Sequence, residues 1–133
     1  GAVDGGRDDE KIAFATRYMW RDAGATELLA TLPHNGETRT TSMDADAFRL
    51  PRGKWIRLEQ EVVLNTPGKK NGSIRVWAGG RVVVDRRQML LRDSNVVTFA
   101  GVQADVHYGG SDTSFVAPKD TQIRLTPFEV RLP

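Results

Sequence analysis

Three side chains capable of polar chemistry alternate along one short stretch in the last third of the sequence. Gln103, Asp105 and His107 are separated by single small or apolar residues. Because side chains alternate between the faces of a strand that rises about 3.3 Å per residue, we expect this amide, carboxylate and imidazole to share one face. An imidazole oriented by a neighbouring carboxylate or amide can transfer a proton near neutral pH. The pattern predicts either a polar site or an ordinary solvent-facing strand.

The residues around this strand indicate how such a site would be held. Val102 and Val106 alternate with the polar residues and predict a core-facing side. Gly109-Gly110-Ser111-Asp112 follows, and this composition favours a turn with positive φ. We therefore expect the strand to end there and the loop over residues 109–120 to border the site.

Two other strand patterns carry polar candidates. Between residues 12 and 21, alternation predicts an aromatic core face and an outer face that presents Arg17 and Arg21. Arginine is suited to planar, bidentate recognition of carboxylates. Between residues 55 and 64, Gln60 shares a face with apolar residues. Since a buried amide needs hydrogen-bond partners, Gln60 is either a satisfied core residue or a site residue that reaches into a groove.

Strand patterns recur between turn signals along the sequence, and no segment of any length has a helical period. This predicts an all-β fold, an antiparallel β-jelly roll or concanavalin-like sandwich. The length of 133 residues predicts a single domain, 1–133, with residues 1–11 as a flexible end or loop. A closing strand is expected over residues 123–132. The predicted core consists of Phe14, Tyr18, Trp20, Leu28, Leu32, Ile56, Leu58, Val62, Leu64, Ile74, Val76, Val102, Ala104 and Val106.

Composition excludes several kinds of site. The sequence has no cysteine and two histidines, His34 and His107, which argues against a disulfide framework, a thiolate site or a histidine-rich metal centre. We expect no metal and no cofactor. No stretch approaches the ~18 apolar residues of a membrane span. The net charge of +2, with more arginines than lysines, favours anionic partners, and we expect no nucleic acid among them.

Three stretches, taken in order, carry a resemblance to a known family. They are KWIRLEQEVVLNTPGKKNGSIRVWAGGRVV, then GVQADVHYGGSDTSFVAPKD, then FEVRL. They resemble the carboxyl-terminal two-thirds of the β-jelly-roll polysaccharide lyases, the alginate lyases of family 14 and the glucuronan lyases of family 20. FATRYMWRDAGATELLATLP is similar to the strand pair that carries groove residues in those enzymes. The most specific parts are residues 64–68 with 71–72, Val76-Trp77 with Gly80, and 109–112 with 117–118.

The resemblance implies cleavage of a uronic-acid polymer by β-elimination. This reaction needs a group that neutralises the sugar carboxylate, a base that removes the adjacent proton and an acid that protonates the leaving oxygen. Arg17 matches the groove arginine of the family and is the implied neutralising group, with Gln103 as a second. His107 and Tyr108 are the candidates for base and acid. Arg21, Gln60 and Asp105 complete the expected substrate-binding set.

The sequence departs from the family at several groove positions. The groove serine of the family is Ala15 here, and its two groove tyrosines are Leu29 and Thr31. A family lysine implicated in catalysis would lie just before Gly1. The sequence begins GAVDGGRDDE, with neither an initiator methionine nor a hydrophobic segment, which predicts an excised piece or a processed product. We expect the N-terminal strands of the family to be missing and a second chain or fragment to cover the exposed sheet edge.

Three functions remain open from the sequence. The first is a lyase that binds and cleaves an anionic polysaccharide such as alginate or glucuronan. The second is a non-catalytic carbohydrate-binding module, and the third is a structural or assembly domain that uses a sheet edge to pair with another chain. For the lyase, the resemblance implies a secreted or periplasmic location.

Overall fold

The computed structural model describes residues 13–19, 25–34, 37–96, 98–99, 101–102, 113 and 119–132. In this part of the chain the strands are β1 (Ala13–Met19), β2 (Ala25–His34), β3 (Glu37–Arg49), β4 (Leu58–Val63), β5 (Gly72–Ala78) and β6 (Arg81–Met89). They form two three-stranded sheets, ordered β1-β2-β3 and β4-β5-β6. All strand pairs are antiparallel, which confirms the all-β, sandwich-type prediction.

The core lies between the two sheets. Leu28 of β2 packs with Ile74 and Val76 of β5, with Val84 of β6 and with Leu91, and each of these residues is at most 3% exposed. Partly buried side chains surround this cluster: Met43, Phe48, Val62, Leu64, Val83 and Met89. The two sheets therefore bury a shared apolar layer, and burial of such surface is the main stabilising contribution.

Period-two alternation is clear in β2. Thr26, Leu28 and Ala30 are buried, whereas Glu27, Leu29 and Thr31 are half-buried. The buried hydroxyl of Thr26 donates a hydrogen bond to the carbonyl oxygen of Phe48 at 2.6 Å. Among the described side chains on the core face of β2, Thr26 is therefore a polar one whose hydrogen-bond partner lies on β3.

Asn65 ties the end of β4 to the chain that follows β6. Its side chain is fully buried, and its Oδ1 accepts hydrogen bonds from the N–H groups of Leu91 at 2.7 Å and Arg92 at 2.9 Å. Its Nδ2 donates to the carbonyl oxygens of Thr66 at 3.0 Å and Arg92 at 2.9 Å. Arg92 Nε donates in turn to the Asn65 carbonyl oxygen at 2.8 Å. Because every polar atom of the amide is satisfied, its burial carries no desolvation penalty from an unpaired group.

The predicted core is confirmed in part. Leu28, Ile74 and Val76 are buried, and Val62 and Leu64 pack against them. Ile56 is half-buried. Six further residues of the predicted core have side chains that lie outside the described part of the structure: Phe14, Tyr18, Trp20, Leu32, Ala104 and Val106.

The prediction is wrong for two core residues, which are exposed, and for one strand, which does not form. Leu58 is 45% exposed and Val102 is 60% exposed. Leu58 is on β4, the first strand of its sheet, where among the described residues only β5 flanks it. Residues 123–132 form no strand and are exposed, and Pro127 has no N–H to contribute to a ladder.

The chain divides into two units, residues 1–100 and residues 101–133. The first unit contains both sheets. In the second unit the described residues are exposed and contain no strand. The expectation of a single domain over 1–133 stays a prediction. No helix in the described part of the chain is long and apolar enough to cross a membrane.

Candidate functional site

The pairing of β1 with β2 places an arginine opposite a glutamate. Arg17 and Glu27 are cross-strand partners, and Arg17 Nη2 donates to Glu27 Oε2 in an ion pair. The Arg17 side chain is 54% exposed, whereas that of Glu27 is 14% exposed. The guanidinium is therefore presented to solvent while the carboxylate that holds it is largely covered.

Glu27 is held in its charged form by two neighbours. A hydrogen bond with Ser42 of β3 is the larger cause that lowers the pKa of Glu27 below its ordinary value, and the ion pair with Arg17 lowers it further. Partial burial acts in the opposite direction and does not overcome them. Since a carboxylate with a lowered pKa is a weak base, Glu27 is suited to holding Arg17 rather than to removing a proton.

Other polar side chains share this face of the sheet. Leu29 and Thr31 follow Glu27 at every second position of β2 and are half-buried. The Oγ1 atoms of Thr31 and Thr40 share a hydrogen bond of 2.6 Å, and Ser42 is the cross-strand partner of Leu29. We call the surface formed by Arg17, Glu27, Leu29, Thr31, Thr40 and Ser42 the Arg17 face. Arg49 of β3, the cross-strand partner of Ala25, lies on the same side of the sheet.

The chemistry of the Arg17 face follows from its side chains. It offers one guanidinium, one carboxylate and three hydroxyl groups. Its described side chains include no tyrosine, histidine or lysine. This arrangement can bind a carboxylate and sugar hydroxyl groups, because arginine forks fit carboxylates and hydroxyls both donate and accept hydrogen bonds.

Of the predicted site residues, the structure describes Arg17 and Gln60. Gln60 is on β4, opposite the buried Val76, and its side chain is exposed. The alternative that made Gln60 a satisfied core residue is therefore wrong. Gln60 belongs to the β4-β5-β6 sheet and is not part of the Arg17 face. The other predicted site residues lie outside the described residues: Arg21, Gln103, Asp105, His107 and Tyr108.

Glu27 and Ser42 were not predicted from the sequence. A signal for Glu27 was present, because it alternates with Leu29 and Thr31, the positions that match the groove tyrosines of the resembled family. Antiparallel pairing then brings it opposite Arg17. The placement of Ser42 depends on a register shift between Leu28 and Leu29 in the β2–β3 pairing, which alternation alone does not predict.

The outer face of the other sheet carries a different arrangement of charge. Glu61 of β4 pairs with Arg75 of β5 at 3.4 Å, and the Arg75 guanidinium carbon lies 5.3 Å from the centroid of the Trp77 ring. Asp85 and Arg87 of β6 form a further pair at 3.1 Å, and Arg87 is the main reason that the pKa of Asp85 is lowered. These are exposed ion pairs of the kind that contributes little to stability.

A metal site is not evident in the described part of the chain. None of its His, Asp and Glu side chains come together in a group of three or more that could hold a metal ion. The Arg17 face contributes a single carboxylate, which is already paired with a guanidinium.

Comparison with known proteins gives one match. A family model described as Polysaccharide lyase 14 matches residues 1–128. No curated protein and no solved structure matches the chain. The matched range includes the strands of the Arg17 face and also the segment that carries Gln103, Asp105 and His107.

Proposed function

Because the chain belongs to the polysaccharide lyase 14 family, we propose that it binds an anionic uronic-acid polysaccharide, alginate or glucuronan, on the Arg17 face. The observation that carries the proposal is the exposed Arg17 guanidinium, fixed by Glu27 on a face that also presents hydroxyl groups. Two parallel N–H groups of an arginine match the two oxygens of a uronate carboxylate. The hydroxyls of Thr31, Thr40 and Ser42 suit the hydroxyl groups of a sugar ring.

The reaction of the family sets three chemical requirements. In β-elimination a base removes the proton next to the carboxylate, negative charge develops on the carboxylate, and an acid protonates the leaving glycosidic oxygen. Arg17 meets the second of these, since a fixed cation stabilises the negative charge that develops on the carboxylate in the transition state. Glu27 does not supply the base, because its lowered pKa makes it weakly basic.

We assign the proton transfers to His107 and Tyr108, with Arg21, Gln103 and Asp105 as binding residues. The resemblance of this segment to the lyases supports both assignments, and alternation supports His107, which shares a face with Gln103 and Asp105. Tyr108 alternates onto the opposite face, so its role requires a twist of the strand at Gly109. With an ordinary pKa of about 6.5, a histidine is largely neutral at pH 7 and can accept the proton. Asp105 or Gln103 would orient the imidazole.

Binding without cleavage is the second candidate function. It is favoured by Leu29 and Thr31, which occupy the positions matched to the groove tyrosines, and by Ala15 at the serine position. Leucine and alanine carry no exchangeable side-chain proton, and a threonine hydroxyl does not titrate near pH 7. A domain that kept the arginine and lost these groups would hold the polymer and leave it intact.

Incubation with alginate and with glucuronan separates the two candidates. A lyase releases unsaturated sugar ends that absorb ultraviolet light, whereas a binding module shows affinity and no absorbing product. A neutral glucan serves as the control ligand, and affinity for the acidic polymers should fall as salt is raised. Equal affinity for the neutral glucan, or no affinity for either acid polymer, would contradict the proposed function.

The assignment of His107 has its own control within the chain. We expect His107→Ala to abolish the absorbing product while binding persists, because the imidazole acts on the proton rather than on the carboxylate. His34→Ala should leave both unchanged. If the His34 variant loses activity and the His107 variant keeps it, the base has been placed on the wrong strand.

Since lyases of this kind act on polymers outside the cell, we also propose a secreted or periplasmic location. A second chain or fragment along a sheet edge stays a prediction. In the described residues β1 and β3 border one sheet, and β4 and β6 border the other. Size measurement in solution, with and without a uronan oligomer, would show whether another copy occupies such an edge.

A further inference from the structure

We infer that Glu27 is a specificity-determining residue: by pairing with Arg17 it offsets the charge of that guanidinium, so that the Arg17 face favours a uronate carboxylate over densely sulfated polymers. The inference rests on the proposed function, because it concerns the ligand class of the same face.

The charge balance of the face is the first step. Arg17 and Glu27 carry opposite charges in direct contact, and Leu29, Thr31, Thr40 and Ser42 are neutral. Arg49, the cross-strand partner of Ala25, adds a positive charge on the same side of the sheet. An exposed arginine by itself attracts any anion, since the attraction between charges does not depend on ligand shape. A carboxylate in contact with the guanidinium cancels most of this attraction beyond a few ångströms. Binding then depends on directed hydrogen bonds more than on total ligand charge.

The geometry of the pair is the second step. Glu27 contacts Arg17 through Nη2, and a guanidinium has five N–H donors in one plane. The remaining donors can bind a planar carboxylate in two parallel hydrogen bonds. The hydroxyls of Thr40 and Ser42 lie on the neighbouring strand, where they can contact the ring that bears this carboxylate. Glu27 repels every anionic group of a ligand, and a densely sulfated polymer brings more of these groups per sugar ring than the single carboxylate of a uronate.

The persistence of the Glu27 charge is the third step. Its carboxylate is only 14% exposed, so solvent screens it less than it would a fully exposed group. The hydrogen bond with Ser42 and the pair with Arg17 favour the charged form. The repulsion therefore operates across the neutral pH range in which a uronan is itself ionised.

Paired affinity measurements test the inference. An alginate oligosaccharide and dextran sulfate are titrated into the wild-type protein, Glu27→Gln, Glu27→Asp and Glu59→Gln. Glu59 is the matched control because it is also ion-paired with an arginine, Arg57 at 2.7 Å, and its replacement changes the net charge equally. Each variant is first shown to be folded by circular dichroism.

We expect Glu27→Gln to raise the affinity for dextran sulfate by about five- to tenfold. This is the effect on binding of removing one negative charge about 5 Å from an anionic group of the ligand in a mostly aqueous environment. The preference for alginate over dextran sulfate falls accordingly. Glu27→Asp, which keeps the charge, should retain the wild-type preference, as should Glu59→Gln. Glu27→Thr supplies a second neutral variant suited to a strand, should the glutamine variant fail to fold.

The outcomes distinguish this inference from the proposed function. If the wild-type protein binds alginate and the folded neutral variants keep the wild-type preference, or change it no more than Glu59→Gln does, the inference is wrong and the proposed function stands. If the wild-type protein binds neither alginate nor glucuronan, the proposed function fails and the inference fails with it.

Discussion

The segment over residues 64–72 and the Arg17 face both carry residues by which the chain resembles the lyases, yet they use polar groups in opposite ways. Asn65 is fully buried, and each of its polar side-chain atoms bonds to the chain itself. Arg17 is 54% exposed and is held from one side by Glu27. A buried, satisfied amide holds chain segments together, whereas an exposed guanidinium remains accessible to a ligand.

The rest of the 64–72 segment also has a structural explanation. The N–H of Lys69 donates to the Thr66 carbonyl oxygen at 2.9 Å, and Gly68 has a φ of 81°, as a turn with proline before glycine requires. Asn71 Oδ1 accepts a hydrogen bond from the Thr66 N–H at 2.8 Å, which closes the loop. A distinctive family motif can therefore encode a turn and a buried, hydrogen-bonded amide, and we propose that the residues that contact ligand lie elsewhere.

Replacing Asn65 should have the largest effect on stability. Asn65→Ala leaves the N–H groups of Leu91 and Arg92 without their acceptor inside the protein, and we expect a loss of about 3 to 5 kcal/mol in the free energy of unfolding. Urea denaturation measures it. Asn71→Ala is the control, since its hydrogen-bond partner Thr66 is exposed and the Thr66 groups can bond to water instead. Similar losses in the two variants would show that the Asn65 side chain does not hold these chain segments together.

Gly72 should be the next most sensitive position. A Cβ added there would lie 2.8 Å from the Met89 carbonyl oxygen and 3.1 Å from Leu91 Cδ1, so the backbone of β6 would have to shift. We expect Gly72→Ala to cost about 2 to 3 kcal/mol, as overpacking does. Gly53→Ala, where an added Cβ meets no atom within 4 Å, isolates the cost of a positive φ, expected at about 1 kcal/mol. A Gly72 variant as stable as the wild type would contradict the close approach.

The pH dependence at Glu27 should be smaller than either effect. Because its folded-state pKa is lowered, Glu27 contributes stability that is present above its unfolded value of 4.5 and is lost as pH falls through the folded value. We expect the wild type to lose more stability than Glu27→Gln between about pH 5 and pH 3, as followed by urea denaturation at a series of pH values. Parallel curves for the two proteins would mean that neither the hydrogen bond with Ser42 nor the pair with Arg17 is maintained in solution.

The sequence predicted the fold class better than it predicted the surroundings of the site. Alternation placed Leu28, Ile74 and Val76 in the core, because these residues lie on strands with a neighbour on each side. It failed at Leu58, since alternation defines the face of a strand but not whether another layer covers that face. It also missed Leu91, because this residue comes after the end of β6 and belongs to no alternating segment.

The candidate site was predictable to the extent that it depends on one strand. Arg17 was placed on the outer face of β1, and its exposure agrees with that prediction. Its contact with Glu27 depends on the register between two strands, and the contact of Glu27 with Ser42 depends on an irregularity between two more. Alternation carries no register information, so these partners became visible only in the folded chain.

The central claim is that ligand binding belongs to the Arg17 face, whereas the paired charges of the other sheet are solvated surface. Titration of an alginate oligosaccharide into the wild type, Arg17→Ala and Arg75→Ala tests it directly, because Arg75 is also an arginine paired with a glutamate. We expect Arg17→Ala to weaken binding by about tenfold or more, the contribution of a charge-assisted hydrogen-bonded pair, and Arg75→Ala to leave it within about twofold of the wild type. Equal losses in the two variants, or a larger loss in Arg75→Ala, would contradict the account.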